Sequence, residues 1–262
     1  MHPALSARLD SGELEITGRL LQASNVTLLT TLSATAEGRA IECVYKPIKG
    51  ERPLWDFPDG TLALREVAAY EVSRAGGFDL VPVTVLVDGP LGPGSLQAWV
   101  DVDEEGADDL VDLVPLTALP REGWFVAVEG FGVDDTPIAV VHADHDRLRL
   151  MAAFDALINN ADRKGGHILA SGGSVFGVDH GICFHTEPKL RTLLWGWAGQ
   201  EFTAAERACI ERAAAEAPPA LRKLLAEEEV EAFLDRAARL LRTGRFPSPH
   251  RNDHRTVPWP PF

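Results

Sequence analysis

Phe154-Asp155-Ala156-Leu157-Ile158-Asn159-Asn160-Ala161-Asp162-Arg163-Lys164-Gly165-Gly166-His167 changes character half-way along. Its first part finishes an apolar-periodic run from Arg147 to Asn160, the clearest helix of the second half of the chain. The rest is Asn, Asp, Lys and Gly, a composition that turns sharply and leaves charged side chains clustered at a helix end. Two short apolar runs follow, Ile168-Leu169-Ala170 and Val175-Phe176-Gly177-Val178, separated by Ser171-Gly172-Gly173-Ser174. They read as a hairpin whose second strand delivers Asp179 in Asp179-His180-Gly181.

Upstream, Leu14 to Val44 alternates apolar and β-branched residues with polar breaks, which predicts a small antiparallel sheet. Lys46 stands near the end of its last strand, in Val44-Tyr45-Lys46-Pro47. Thr61 to Ala75 has no Gly or Pro, spaces Leu64, Val67, Ala68 and Glu71 helically, and stops at Gly76-Gly77. Val81 to Val87 and Ser95 to Val102 read as two further strands around a Gly/Pro loop. The acidic stretch Asp101 to Asp112 reads as a lobe boundary that opens a helix or forms a solvated face. Downstream, Ala204 to Ala217 and Pro219 to Thr243 predict two helices split at Pro218-Pro219. The expected fold class is α+β and bilobal. Residues 1–100 would form a β-rich N-lobe with one helix, 101–245 a larger, mainly helical C-lobe, and 246–262 an irregular tail.

Phosphoryl transfer needs a lysine on the phosphates, metal ligands and an orienting carboxylate, with little covalent work. Lys46 on a strand, Glu66 on the following helix, Asp162 in a loop, His167 five residues on and Asp179 after a hairpin supply such parts in order. Each has a bland reading when taken alone. Lys46 would be a solvated surface charge, Asp162 a turn residue, Asp179-His180-Gly181 an ordinary turn, and Glu71 rivals Glu66 on its helix. Asp155 reads as a holder of the loop backbone. His142 and His145 resemble a metal pair with no further ligand in sequence, and Asp144 reads there as a helix cap. Among the large aromatics, Trp195 reads as core and Trp99 as packing beside a hinge.

The segment from Phe154 to His167 resembles the catalytic loop of the phosphatidylinositol kinase-like superfamily, whose pattern is Asp-Arg-His-x-x-Asn after a helix. Asp179-His180-Gly181 falls where that superfamily keeps its metal-binding Asp-x-Gly. More narrowly, Lys46-Pro47, the turn from Trp55 to Gly60 and the helix Arg65 to Tyr70 resemble an actinobacterial group of these atypical kinases, and the likeness runs from Gly18 to Trp195.

The resemblance implies a bilobal kinase fold that binds ATP and Mg²⁺ or Mn²⁺. Lys46 would contact the phosphates and pair with Glu66, Asp162 would orient the acceptor hydroxyl, and Lys164 would reach the transferred phosphoryl group. Asp179 would hold the metals. Leu96 to Val100 would be the inter-lobe hinge, with the backbone of Gln97, Trp99 and Val100 meeting adenine. Two departures stand out. His167 fills the slot of an Asn metal ligand, and because imidazole suits transition metals this predicts a preference for Mn²⁺. The front loop carries Ala23-Ser24-Asn25 in place of a glycine-rich motif, and Ser24 with backbone amides would cap the phosphates.

The implied activity is phosphotransfer from ATP to a hydroxyl acceptor, a protein Ser/Thr or a small polyol. A nucleotide-sensing pseudokinase and an AMP transferase on the same fold are the alternatives. Composition narrows the partners. With 25 Lys and Arg against 39 Asp and Glu, the net charge of −14 disfavours nucleic acid and anionic lipid surfaces. No apolar run approaches the ~20 residues of a membrane span, so membrane insertion is not expected. Three scattered cysteines, Cys43, Cys183 and Cys209, together with a start that lacks the pattern of a secretion signal, predict a cytoplasmic protein.

Overall fold

The computed structural model describes residues 13–20, 25–33, 40–52, 54, 55, 57, 61–103, 110–119, 122–249 and 256–262. Ser24 and most of the turn between Trp55 and Gly60 lie outside them.

The fold is α+β and bilobal, with antiparallel sheets early in the chain and helices late. Strands β1 (Leu14–Arg19), β2 (Leu28–Leu32), β3 (Ile41–Pro47), β4 (Thr84–Gly89) and β5 (Gly92–Ala98) form one sheet in the order β1-β2-β3-β5-β4. Alternation sets its faces: Leu28, Thr30 and Leu32 of β2 and Cys43 and Tyr45 of β3 are buried, and so Lys46 faces the other way. Between β3 and β4 the chain forms helix α1 (Leu62–Gly76). Eleven of its 15 residues are buried, because the sheet and the second lobe cover it from several sides. Its first turn begins at Thr61, which has left-handed backbone and makes no cap of its own; the Glu51 carboxylate instead accepts the Ala63 N–H at 2.8 Å. At the other end, Ser73 Oγ accepts the N–H groups of Leu80 and Val81 at 3.0 and 3.2 Å and pins the chain as it leaves the helix.

A second sheet, β6 (Val111–Pro115), β7 (Trp124–Phe131) and β8 (Pro137–Ala143), follows in the order β6-β8-β7. The C-lobe therefore opens on strands. Of the two readings of the acidic stretch, a helix opening or a solvated face, the helix does not start at Val111, where β6 pairs with β8. Helix α2 (Asp146–Ile158) comes next, then the hairpin β9 (Ile168–Ser171) and β10 (Ser174–Gly177). Three helices close the fold: α3 (Ala204–Glu216), the single turn α4 (Pro218–Leu221) and α5 (Glu227–Thr243). The long helix anticipated from Pro219 is thus two pieces. The second starts afresh at Ala226, where the Glu229 carboxylate reaches back to the Ala226 N–H and three glutamates fill the first turn.

One apolar core runs through both lobes, from Leu32, Tyr45 and Leu96 through Phe78 and Phe154 to Trp197, Phe184 and Phe233. Among the described residues no helix is long and apolar enough to cross a membrane.

Candidate active site

Three elements that are remote in sequence bring their charges together. Lys46 on β3 makes a close ion pair with Glu66 of α1 and donates to Asp179 Oδ1 at 2.8 Å, just past β10. Glu66 is buried, and its second oxygen accepts the His180 N–H at 2.9 Å, so one carboxylate ties strand, helix and hairpin end. Glu71, the rival, pairs with Arg74 instead. Burial opposes the Lys46 charge, but the Asp179 and Glu66 carboxylates outweigh it and raise its pKa. Lys46 in turn holds the Asp179 carboxyl well below the usual carboxylate range. Asp179 has left-handed backbone, with φ +60°, a costly conformation for a residue with a Cβ.

The loop after α2 supplies the opposite wall. Asn159 stops the helix in left-handed backbone. Asn160 uses its amide to hold Asp155 at 2.9 Å and its oxygen to accept the Asp162 N–H at 3.0 Å. Arg163 is fully buried, with Nε 3.0 Å from Asp155 Oδ2 and Nη2 2.9 Å from Asp155 Oδ1. It also donates to the carbonyls of His167 and Val178 and to His180 Nε2. Asp155 therefore holds the loop as its position suggested, and it does so through Arg163. Gly177 leaves room for this guanidinium, since a Cβ there would lie 3.0–3.2 Å from it.

Asp162, Lys164 and His167 extend the charged cluster. The Asp162 carboxyl is pushed up to about 6, mainly by burial, against the pull of Lys164, whose Nζ lies 3.3 Å away. His167 pairs its Nδ1 with the Asp162 carbonyl at 2.9 Å, which fixes the proton on Nδ1 and leaves a lone pair on Nε2. That Nε2 stands 3.4 Å from Asp179 Oδ2. Burial lowers the imidazole to about 4, against the pull of Asp179, so at neutral pH a lone pair faces a carboxylate. Two electron-rich atoms so placed fit a cation between them. No third His, Cys, Asp or Glu joins them in a metal cluster among the described residues.

The remaining anticipated residues fall as follows. Gln97 is buried and its side-chain amide donates to Thr84 Oγ1 at 2.8 Å, inside the sheet. The N–H groups of Ala98 and Trp99 are taken by the carbonyls of Val83 and Glu42, so neither is free to meet adenine. Asp103 then ties the crossing to β9 and the turn after it, donating its N–H to the Ala170 carbonyl and accepting the Gly172 N–H at 2.9 Å. Trp195 is only half-buried, and the core tryptophan of that segment is Trp197, whose indole donates to Asp144. The cap of α2 is His145, which accepts the Arg147 N–H, while His142 is buried with Nε2 accepting the Gly196 N–H.

No family model matches this sequence. It is 47% identical over 268 aligned residues to protein Rv2133c of Mycobacterium tuberculosis (strain ATCC 25618 / H37Rv), a match covering 98% of this chain and 95% of that protein. The chain belongs to the Rv2133c family.

What the sequence reading missed is that C-terminal segment. Pro261 accepts the Gly165 N–H at 2.8 Å, so the end of the chain touches the loop that bears Asp162 and His167. Pro258-Trp259-Pro260-Pro261-Phe262, a stiff apolar ending, was the available signal.

Proposed function

We propose that this chain is an atypical kinase of the phosphatidylinositol kinase-like kind, moving the γ-phosphoryl group of ATP to a hydroxyl acceptor. The observation that carries the reading is the convergence of Lys46, Glu66 and Asp179. A lysine on the third strand, paired with a glutamate on the next helix and facing an aspartate after a hairpin, is the arrangement protein kinases use for nucleotide phosphates. In this reading Lys46 binds the phosphates. Asp162 accepts the proton of the acceptor hydroxyl as its oxygen attacks the γ-phosphorus and ADP departs. A carboxyl at about 6 is ionised at neutral pH yet basic enough for that task. Lys164, beside Asp162, would meet the transferred group.

His167 and Asp179 would hold the divalent ion, which supplies charge neutralisation on the phosphates. The acceptor reading favours a protein hydroxyl or small polyol over a lipid headgroup, given the net charge of −14.

Incubation with α- and γ-labelled ATP in Mg²⁺ and in Mn²⁺ tests this. Transfer of γ label alone supports the kinase. Transfer of α label supports an AMP transferase, and nucleotide binding without either supports a sensor.

A further inference from the structure

Of the last seven residues, Pro261 and Phe262 lie against the loop that carries Asp162 and His167. Thr256 uses one carbonyl to accept both the Thr192 N–H at 3.1 Å and the Trp195 indole N–H at 3.0 Å. Val257 packs against the core and Pro258 is buried, so the segment is anchored before it reaches the loop. The segment it rests on is itself bonded to that loop. Arg191 donates to Asn160, Arg163 donates to Arg191, and Leu193 donates to Arg163. The chain end adds an outer layer: Pro261 accepts the Gly165 N–H, and the Phe262 ring lies over Gly165 so closely that a Cβ there would sit 2.5 Å from a ring carbon.

Gly165 has no left-handed φ to explain its identity; the ring of Phe262 does. The chain end covers Gly165 without burying the charged side chains beside it. Asp179 remains half-exposed, the side chains of Asp162 and Lys164 keep 26% and 20% of their exposure, and a Cβ on the adjacent Gly166 would meet open space. An occluding strap would bury those groups.

We propose that Pro261 and Phe262 form a clamp that positions the loop from Asp162 to His167, with Phe262 as a positioning residue for phosphotransfer. The proposal rests on the kinase reading for its effect on rate, and on geometry alone for its effect on the loop. Because Lys164 and His167 flank Gly165 on either side, a shift of this glycine by about 1 Å displaces both, and misplacements of that size cost on the order of 100-fold in rate.

The test uses the full chain, Phe262→Ala, Phe262→Tyr, Gly165→Ala, the double variant Gly165→Ala/Phe262→Ala, and a chain ending at Pro260. Expected for Phe262→Ala and the shortened chain is a fall in kcat for γ-phosphate transfer of about 10- to 100-fold, with KM for ATP within about twofold. Phe262→Tyr restores kcat, since the half-exposed ring can carry a hydroxyl. Gly165→Ala expels the ring and matches Phe262→Ala, and the double variant is no worse than either. An increase in kcat on shortening overturns the clamp in favour of an occluding tail, and unchanged kcat overturns it outright. Hydrogen exchange keeps the two readings apart. If the parent transfers no phosphate, the kinase reading fails, but faster exchange at the Gly165 amide in the shortened chain still supports the clamp, and unchanged exchange sinks it.

Discussion

Arg163 and Asp155 form an ion pair from which solvent is wholly excluded, with Nη2 2.9 Å from Oδ1 and both side chains at 0% exposure. The pair is the hub of the candidate site, since the same guanidinium reaches the backbone of both His167 and Val178. Replacing Asp155 with Ala strands a buried charge, for which the cost is about 3–5 kcal/mol. Asp155→Asn keeps shape and some hydrogen bonding and should cost less. Urea midpoints measure both, and equal stability of Asp155→Ala and parent would show that the hub contributes nothing.

Lys46 supports a separate prediction. Lys46→Ala removes a cation in contact with both Glu66 and Asp179. A charge-assisted contact to phosphate is worth about 1.5–3 kcal/mol, so nucleotide affinity should fall by about 10- to 100-fold. Titration calorimetry with ATP reads it. Affinity unchanged within twofold would remove Lys46 from the nucleotide site.

His167 tests the metal reading. With its proton fixed on Nδ1 by the Asp162 carbonyl, Nε2 offers a nitrogen lone pair beside Asp179. Nitrogen ligands favour transition metals, so the parent should bind Mn²⁺ more tightly than Mg²⁺ in the presence of ATP. His167→Asn, which supplies an amide oxygen, should narrow that preference. An unchanged ratio of affinities for the two metals would exclude His167 as a ligand.

The sheet, the first helix and the hairpin were legible because each is written locally. Thr61 to Ala75 lacks breakers and ends at Gly76-Gly77, and Ser171 to Ser174 is a turn between two apolar runs. The convergence of Lys46, Glu66 and Asp179 was readable from their order and a resemblance, since no local pattern reports a contact between residues 46 and 179. The β6-β8-β7 sheet was missed because its first strand sits directly behind an acidic stretch whose charge density masks the alternation. The break before α5 was missed because Leu224-Leu225-Ala226 contains no helix breaker; only the glutamates that follow mark a new start. The clamp at Gly165 was hidden for the same reason as any close approach: a glycine in a loop looks like a turn until its neighbour is known.

Asp162 and His167 should give opposite pH dependences of stability. The Asp162 carboxyl is raised to about 6 in the fold, from about 4 in an unfolded chain, so between those values the folded state holds more protons and stability falls as pH rises. His167 is lowered to about 4, from about 6.5 unfolded, so the unfolded state holds more protons there and stability falls as pH drops from 6.5 towards 4. The two slopes overlap between about pH 4 and 6 and offset each other in the parent. Each single variant should expose the other group. Asp162→Asn leaves His167 alone, and its urea stability should decline by about 1–2 kcal/mol on acidification from pH 7 to 4.5, after discounting for partial exposure. His167→Asn leaves Asp162 alone, and its stability should climb by a similar amount over the same interval, relative to the parent. If both variants instead run parallel to the parent across that range, neither group is shifted as its surroundings indicate, and the assignment of Asp162 as the group that takes the acceptor proton loses its physical basis.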